Sequence, residues 1–554
     1  MEGATEMNKK ICGVWILIFL TQFVCIFFLM SQREYLFVDE VYSYGLANSE
    51  DYSFLILEDH NWYTGDYFEN YIKFDDGRPF SFDAAYRNQT NDVHPPMYYY
   101  LLHLVCSFFP KHSYSAVPGI VLNLILLFLV DACYYCLACF FLKSDTKIIA
   151  ALMLWGLSAA FFSNAVFVRM YFMETLMILL FVCAHIYCYR YYEKFNLLQA
   201  LTYAVLVTLG GLTHYHFYFF AAAFGGCLCL VLLFSKRIKL MFVYGLSLVA
   251  GVVTAFLVFP ATWNHIFGYR GSYATENLIG FSVEKFAKYY EWCSDSLLAG
   301  CGTLLIFVAC LSTALYFLRN LYDISVSLEQ NEKSYAIHYN IEKHVKFKKD
   351  GCICIEYQDL LIGSAIVANT VLAFVAIQGS EIIHCRYIYP IYPILSVCVV
   401  MVLDWCMKQF NIKKSKSLLC LVCLLLSIGS IKVYGIDWMY EDYRWKNDFV
   451  EEMKGQDFFV IANKNYWIDY YSGLNIYRNA DEVVYVDDAN LSNLSGLLAE
   501  RKTNNKLFVS FPRNGYEYTD LERNAFLDEI CKQCNFLNYY LKYDHDTYVY
   551  EMLK

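Results

Sequence analysis

The sequence predicts an α-helical polytopic membrane protein that carries a small α/β domain outside the membrane. Of its 554 residues, 58% are apolar and 19% aromatic, whereas only 17% are charged. The apolar residues are grouped in runs of about twenty, the length of helix that crosses the roughly 30 Å hydrocarbon core of a bilayer. From residue 437 the composition becomes polar, and no later run is long enough to span.

The apolar runs predict about 11–13 membrane spans. The first run follows Lys9 and Lys10 and lacks a small-x-small cleavage site after it, so we interpret it as a retained anchor with a cytoplasmic amino terminus. The run at 96–110 is short, and we expect a half-membrane or re-entrant helix there. The runs lie at 11–30, 96–110, 116–142, 148–167, 171–189, 197–212, 217–234, 240–261, 297–318, 360–377, 388–407 and 418–436.

Charges in the short connections predict the orientation of the chain in a plasma membrane. Lysine and arginine cluster after residues 142, 189, 234 and 407, which the positive-inside rule assigns to the cytoplasm. Alternation then puts the turns at Arg169, His214 and Arg386 on the extracytoplasmic side. The acidic loop 31–95 and the tail 437–554 also fall on that side.

Two domains are expected, a transmembrane domain at 1–436 and an extracytoplasmic α/β domain at 437–554. Short apolar runs at 458–462, 483–486 and 507–511 predict buried strands. Helical periodicity predicts helices at 491–502 and 519–534, and the residues 539–552 favour a final extended pair. This alternation of strands and helices is typical of a small α/β domain.

Composition also limits the class of partner. The net charge of −10 argues against nucleic acid. The 22 cysteines are scattered and many lie inside apolar runs, where they behave as small apolar residues. Cys352-x-Cys354 and Cys531-x-x-Cys534 are single pairs without a second pair at zinc spacing, so they give weak support for a metal site.

An acidic pair, Asp39 and Glu40, follows the first predicted span at the mouth of the membrane. A carboxylate at the edge of a low-dielectric region can remove a proton from a hydroxyl or bind a divalent metal. Two acids after a span can also be ordinary loop residues. The pair is therefore interpreted together with the other polar groups at the same side.

Cationic residues recur at the predicted outer ends of the spans. His94 is followed by two prolines that fix the backbone as the chain enters the membrane. Arg169, His214 and Arg386 each interrupt or border an apolar run. Ionisable residues at such depths usually face a cavity or a partner, and cations suit a phosphate. Carboxylates and cations on one face suggest a hydroxyl nucleophile and a lipid-linked phosphate leaving group.

These motifs resemble the GT-C membrane glycosyltransferases of family 39, which include the protein O-mannosyltransferases and bacterial enzymes that use polyprenyl-phosphate sugars. The resemblance rests on the acidic pair, on HPPMYYYLLH at 94–103, on RMY at 169–171, on THYHF at 213–217 and on RYIYPIYP at 386–393. Their order and spacing cover roughly two thirds of the chain.

The resemblance implies an inverting glycosyltransferase that moves a sugar from a polyprenyl-phosphate donor to an acceptor hydroxyl outside the membrane. It implies Asp39 as general base and Glu40 as a partner that positions the acceptor or a metal. His94 stands where some relatives place a lysine at the donor phosphate, and a histidine there is a weaker, pH-dependent cation. The resemblance implies further donor contacts at Arg169, Tyr171, His214, Tyr215 and Arg386.

The sequence implies no certain cofactor; a divalent metal is compatible with it, and its ligands are not identified. The predicted partners are the lipid-linked sugar donor, a hydroxyl-bearing protein, polysaccharide or glycolipid acceptor, and the bilayer. The alternative function is a transporter or flippase of lipid-linked sugars. Transporters tend to show two related halves and broken helices at the midplane, and the sequence shows neither.

Overall fold

The computed structural model describes residues 9–33, 36–50, 53–73, 78–109, 115–189, 195–331, 334–343, 357–380, 383–412, 414–437, 443–463, 471, 473–502, 505–513, 517–544 and 547–554. The chain forms two compact units. The membrane-helix unit comprises Met1–Ile26, Ile125–Ala165 and Tyr171–Ile436. The sheet unit comprises Phe27–Leu124, Val166–Met170 and Asp437–Lys554.

Helices dominate the chain as far as residue 436, and strands and helices alternate after it. In chain order the elements are α1 Lys9–Ser31, α2 Val38–Asn48, β1 Trp62–Thr64, α3 Gly65–Ile72, α4 Asp83–Asn91, α5 Met97–Cys106, α6 Val117–Leu142, α7 Asp145–Gly156, α8 Ala159–Val166, α9 Tyr171–Tyr189, α10 Leu197–Thr213, α11 His216–Phe234, α12 Ile238–Val258, α13 Thr262–Phe267, α14 Tyr269–Ile279, α15 Val283–Leu298, α16 Gly302–Leu321, β2 Tyr322–Asn331, β3 Ser334–Lys343, α17 Tyr357–Gly379, a 3₁₀ helix Cys385–Ile391, α18 Tyr392–Gln409, α19 Ser415–Tyr434, α20 Tyr443–Glu452, β4 Asp457–Ala462, α21 Leu474–Tyr477, β5 Glu482–Asp487, α22 Leu494–Glu500, β6 Leu507–Pro512, α23 Asp520–Cys534, β7 Asn538–Asp544 and β8 Thr547–Leu553.

Among the described residues, nine helices are long and apolar enough to cross a membrane, or ten if one bent pair counts as a span. This confirms a multi-pass helical membrane protein; the part of the chain that the structure describes holds nine or ten such helices, where the sequence predicts about 11–13 spans. The apolar runs at 96–110 and 197–212 form only the shorter helices α5 and α10. At 1.5 Å per residue, the ten residues of α5 extend about 15 Å, half of the hydrocarbon core.

The predicted run at 148–167 is not one helix but the bent pair α7 and α8, whose axes differ by 53°. Ser158 lies at the break, and its Oγ accepts a hydrogen bond from the N–H of Phe161 at 3.3 Å. The Oγ of Ser430 accepts another from the N–H of Ala159 at 3.0 Å. Two hydroxyls therefore satisfy amides at the start of α8 that have no partner within the helix.

The sheet unit contains a six-stranded sheet in the order β1-β5-β4-β6-β8-β7. Strands β5, β4 and β6 are parallel, and the remaining pairs are antiparallel. All residues of β4, β5 and β6 are buried, as expected for parallel strands covered on both faces. The strands and helices predicted within 437–554 are confirmed, with small differences at their ends.

Strand β1 lies in the first loop, yet it belongs to the sheet formed by the tail. Trp62 pairs with Val484 of β5, and its ring lies 5.8 Å from that of Phe459. Besides this strand, the loop predicted at 31–95 forms the helices α2, α3 and α4. The compact unit that holds the tail therefore also holds the first loop, whereas the sequence alone suggested a division at 436.

The hairpin β2–β3 was not predicted from the sequence. Its ten-residue strands pair from Tyr322 with Lys343 to Asn331 with Ser334. Alternation of Ile324, Val326 and Leu328 with polar neighbours is a period-two signal that could have identified the first strand. The Cys352-x-Cys354 pair lies outside the described residues.

Candidate active site

The acidic pair begins helix α2, in the sheet unit. Asp39 and Glu40 occupy its first turn, where the positive end of the helix dipole favours carboxylates. The two side chains have different surroundings. The Asp39 side chain is 14% exposed to solvent, whereas that of Glu40 is completely buried. Of the two carboxylates, only that of Asp39 is accessible from the surface.

Glu40 is held by three groups. Its carboxylate pairs with the Arg33 guanidinium and accepts hydrogen bonds from the backbone N–H groups of Phe37 and Val168, both at 2.8 Å. Burial raises the pKa of Glu40, while Arg33 and the two amides favour its ionised form and oppose the rise. Arg33 also donates to the carbonyl of Val166. Arg33 and Glu40 thus fasten residues 166–168 to the start of α2.

This attachment places Arg169 beside Asp39. A terminal nitrogen of Arg169 donates to the Asp39 backbone carbonyl at 3.1 Å and to Ser43 Oγ at 3.2 Å. The other terminal nitrogen lies 3.9 Å from the Asp39 carboxylate, and the guanidinium lies over the Tyr99 ring, 5.9 Å from its centre. The Arg169 side chain is 6% exposed. A cation and a partly exposed carboxylate therefore stand side by side.

His94 lies in the same unit and contacts Asp92. The Asp92 carboxylate lies 2.7 Å from His94 Nδ1 and also accepts from the His94 backbone N–H. Burial by itself raises the pKa of Asp92, but His94 and Arg169 more than offset it, and the pKa is lowered. The ionised Asp92 orients the imidazole and provides a counter-charge when that ring is protonated. The structure thus brings Asp39, Glu40, His94 and Arg169 together within the sheet unit.

Gly119, in the first turn of α6, allows the segment with Arg169 to approach closely. Its N–H donates to the Tyr44 hydroxyl at 2.9 Å, and a Cβ at this position would lie 2.1 Å from Val168 Cγ1. A valine is stiff at χ1 and cannot easily turn away. The absence of a side chain at residue 119 is therefore required by the position of Val168.

We expect Gly119→Ala to destabilise the protein by about 1–3 kcal/mol through overpacking against Val168. Thermal unfolding of the purified protein measures the change. Gly13→Ala is the matched control, because nothing lies within 4 Å of a Cβ added there and alanine favours a helix. Equal unfolding temperatures for the two variants would contradict the close approach.

The remaining predicted residues lie in the membrane-helix unit. Tyr171 and His214 are in contact, with ring centres 5.5 Å apart. Tyr215 hydrogen-bonds through its hydroxyl to His265 Nδ1 at 2.9 Å. Arg386 lies over the ring of its neighbour Tyr387, with the guanidinium carbon 5.0 Å from the ring centre. Tyr171 and Tyr387 are also in contact, at 6.1 Å between ring centres.

Several residues of these sites were not singled out from the sequence. Arg33, Asp92 and Tyr99 border the predicted residues in the sheet unit, and Tyr99 lies within the motif at 94–103. In the membrane-helix unit, Glu174 and His216 lie beside His214, with ligating atoms of the three within 4.8 Å of one another. An acid inside the apolar run at 171–189 was the available signal for Glu174.

No protein-family model and no curated protein matches the chain. Among solved structures, it is similar to the crystal structure of ArnT from Cupriavidus metallidurans bound to undecaprenyl phosphate. The TM-score is 0.46 at 10% sequence identity, over 97% of this chain and 98% of that chain. At this distance the likeness does not establish a shared family or activity.

Proposed function

We propose that the protein is an inverting glycosyltransferase of GT-C type, with Asp39 as general base and a polyprenyl-phosphate sugar as donor. The observation that carries the proposal is the pairing of a partly exposed carboxylate, Asp39, with Arg169 at 3.9 Å. A hydroxyl nucleophile needs a proton acceptor, and a phosphate leaving group needs a cation. The acceptor is a hydroxyl on the extracytoplasmic side.

Asp39 is suited to accept the proton of the hydroxyl nucleophile. Its carboxylate is 14% exposed, so an acceptor hydroxyl can reach an oxygen that accepts its proton. Arg169 is bound to the Asp39 backbone carbonyl and to Ser43, so the relative positions of carboxylate and guanidinium are fixed before substrate arrives. As the acceptor oxygen attacks the anomeric carbon, its proton passes to Asp39 and the bond to the lipid phosphate breaks.

Arg169 and His94 supply the positive charge that a phosphate leaving group needs. A guanidinium can donate two parallel hydrogen bonds to a phosphate, and a protonated imidazole adds a second positive charge. Both side chains are largely withdrawn from solvent, at 6% and 25% exposure. Charge that develops on the leaving phosphate is therefore stabilised more strongly than it would be in water.

Glu40 acts in this proposal as a positioning residue. Its complete burial and its bonds to Arg33, Phe37 and Val168 leave it unsuited to contact an acceptor, but they hold the segment that carries Arg169. The donor contacts expected at Tyr171, His214, Tyr215 and Arg386 remain predictions.

Transfer of labelled sugar tests the function. Proteoliposomes that contain the full chain are given undecaprenyl-phosphate arabinose, mannose or glucose with the sugar radiolabelled, together with a cell-envelope extract as acceptor. We expect label from one of these donors to leave the lipid fraction and appear in the acceptor, with release of undecaprenyl phosphate. A transporter would instead move the labelled lipid across the bilayer intact, and that outcome would overturn the proposal.

A further inference from the structure

A cluster of three side chains in the membrane-helix unit has the composition of a metal site. Glu174 lies in the first turn of α9, His214 in the connection between α10 and α11, and His216 at the start of α11. One ligating atom from each lies within 4.8 Å of those of the other two. The cluster thus draws its three groups from two places in the chain.

The Glu174 carboxylate lacks the partners that a buried charge needs. Its side chain is 1% exposed, and neither of its oxygens accepts a hydrogen bond from the described residues. His214 Nδ1 lies 3.3 Å from one of these oxygens. A buried carboxylate is costly unless it is paired and hydrogen-bonded or bound to a metal. A cation bound beside Glu174 would therefore stabilise its buried carboxylate.

The geometry at His214 favours a shared cation over a simple hydrogen bond. Nδ1 of His214 also faces the backbone N–H of His216, from which it accepts at 3.3 Å. In a neutral imidazole one nitrogen cannot both accept that hydrogen bond and donate to Glu174. A metal ion bound through one ligating atom of each side chain would supply the positive charge that the Glu174 carboxylate lacks.

Surrounding rings hold the imidazoles in place. The ring centres of His214 and His216 are 4.4 Å apart. Tyr171 lies 5.5 Å from His214, and Tyr387 lies 6.5 Å from His216. One ion bound by both histidines and Glu174 would neutralise the buried carboxylate.

We propose that Glu174, His214 and His216 bind one divalent transition-metal ion, of which zinc is the best fit. Two imidazoles and one carboxylate form a ligand set that zinc uses, at bond lengths of about 2.0–2.2 Å. Three protein ligands leave a fourth position for water or another oxygen ligand. This site gives His214 a role other than the donor contact expected from the sequence. It is independent of the proposed transfer reaction.

A bound ion would join the first turn of α9 to the connection between α10 and α11. Because the ion would bind the folded chain and not the unfolded one, its presence would raise the unfolding temperature. Metal content and thermal stability therefore report on the site without any assay of activity.

The test uses the full chain, purified in detergent through a tag without histidine and stripped with a chelator that is then removed. After dialysis against zinc, mass spectrometry of the metal is expected to find one zinc ion per wild-type chain and a raised unfolding temperature. Glu174→Gln, His214→Asn and His216→Asn should each lose the zinc and the temperature rise. His265→Asn, which alters a buried histidine bonded to Tyr215 instead, should keep both.

Cobalt(II) provides a readout that needs no variant. Bound at this site in the wild-type chain, it should give visible absorption bands of a four-coordinate ion that zinc abolishes. Wild-type protein that holds no zinc and shows no such bands would overturn the proposal, and the contact between Glu174 and His214 would then be an ordinary ion pair. Zinc retained by all three ligand variants would overturn it equally.

Discussion

Asp39→Asn is expected to lower the turnover number for sugar transfer by about 10²- to 10⁴-fold, the contribution typical of a general base. The amide has nearly the shape of the carboxylate but cannot take the acceptor proton. The backbone carbonyl of Asp39, which accepts from Arg169, is unchanged by the substitution. Donor binding and the unfolding temperature should therefore stay close to those of the wild type. Initial rates with saturating labelled donor measure the effect.

Asp66→Asn is the matched control for this experiment. Asp66 lies in the same unit, in the first turn of α3, as Asp39 lies in the first turn of α2, but it is exposed. Its substitution should leave transfer unchanged. If Asp39→Asn transfers sugar as fast as Asp66→Asn, a different group accepts the proton and the assignment of Asp39 is wrong.

Arg33→Met is expected to destabilise the protein by about 3–5 kcal/mol, because it leaves the Glu40 carboxylate buried without its cation. Both side chains of this pair are fully buried, so water cannot replace the guanidinium. The same change releases the carbonyl of Val166 and loosens the segment that carries Arg169. Thermal unfolding followed with a thiol-reactive dye measures the loss, since buried cysteines such as Cys106 become accessible on unfolding.

Two further variants show whether the uncompensated charge is the cause. Arg78→Met removes a guanidinium that is 49% exposed and pairs with Glu50 and Asp83, so it should cost much less stability than Arg33→Met. Arg33→Met combined with Glu40→Gln removes both charges and keeps an oxygen that can accept from a backbone amide. It should recover part of the lost stability. Equal unfolding of the Arg33 and Arg78 variants would contradict the argument.

The tail illustrates what local sequence can predict. Strands β4, β5 and β6 are short apolar runs rich in valine and phenylalanine, and helix α23 has a capping Thr519 followed by Glu522. These signals are contained within a few residues of the element they define. The elements of 437–554 could therefore be predicted closely without knowledge of their neighbours.

The acidic pair illustrates what local sequence cannot predict. Asp39 and Glu40 are adjacent and chemically similar, yet the side chain of Asp39 is partly exposed to solvent whereas that of Glu40 is completely buried. The difference depends on Val168 and on the residues beside it, which lie far away in the sequence. In the same way, nothing near Glu174 in the sequence indicates that His214 lies 3.3 Å from it. Pairing over such separations is decided by tertiary packing.

Strand β1 has a consequence for biosynthesis. Trp62–Thr64 is made before most of the membrane helices, but its partner in β5, Glu482–Asp487, is made only after α19. The sheet cannot be completed on the ribosome until almost the whole chain has emerged, and contacts between such distant residues form slowly. From the emergence of β5 until β1 pairs with it, one edge of β5 offers unpaired backbone groups that could join with another chain. A tail produced without the first loop would keep that edge open permanently.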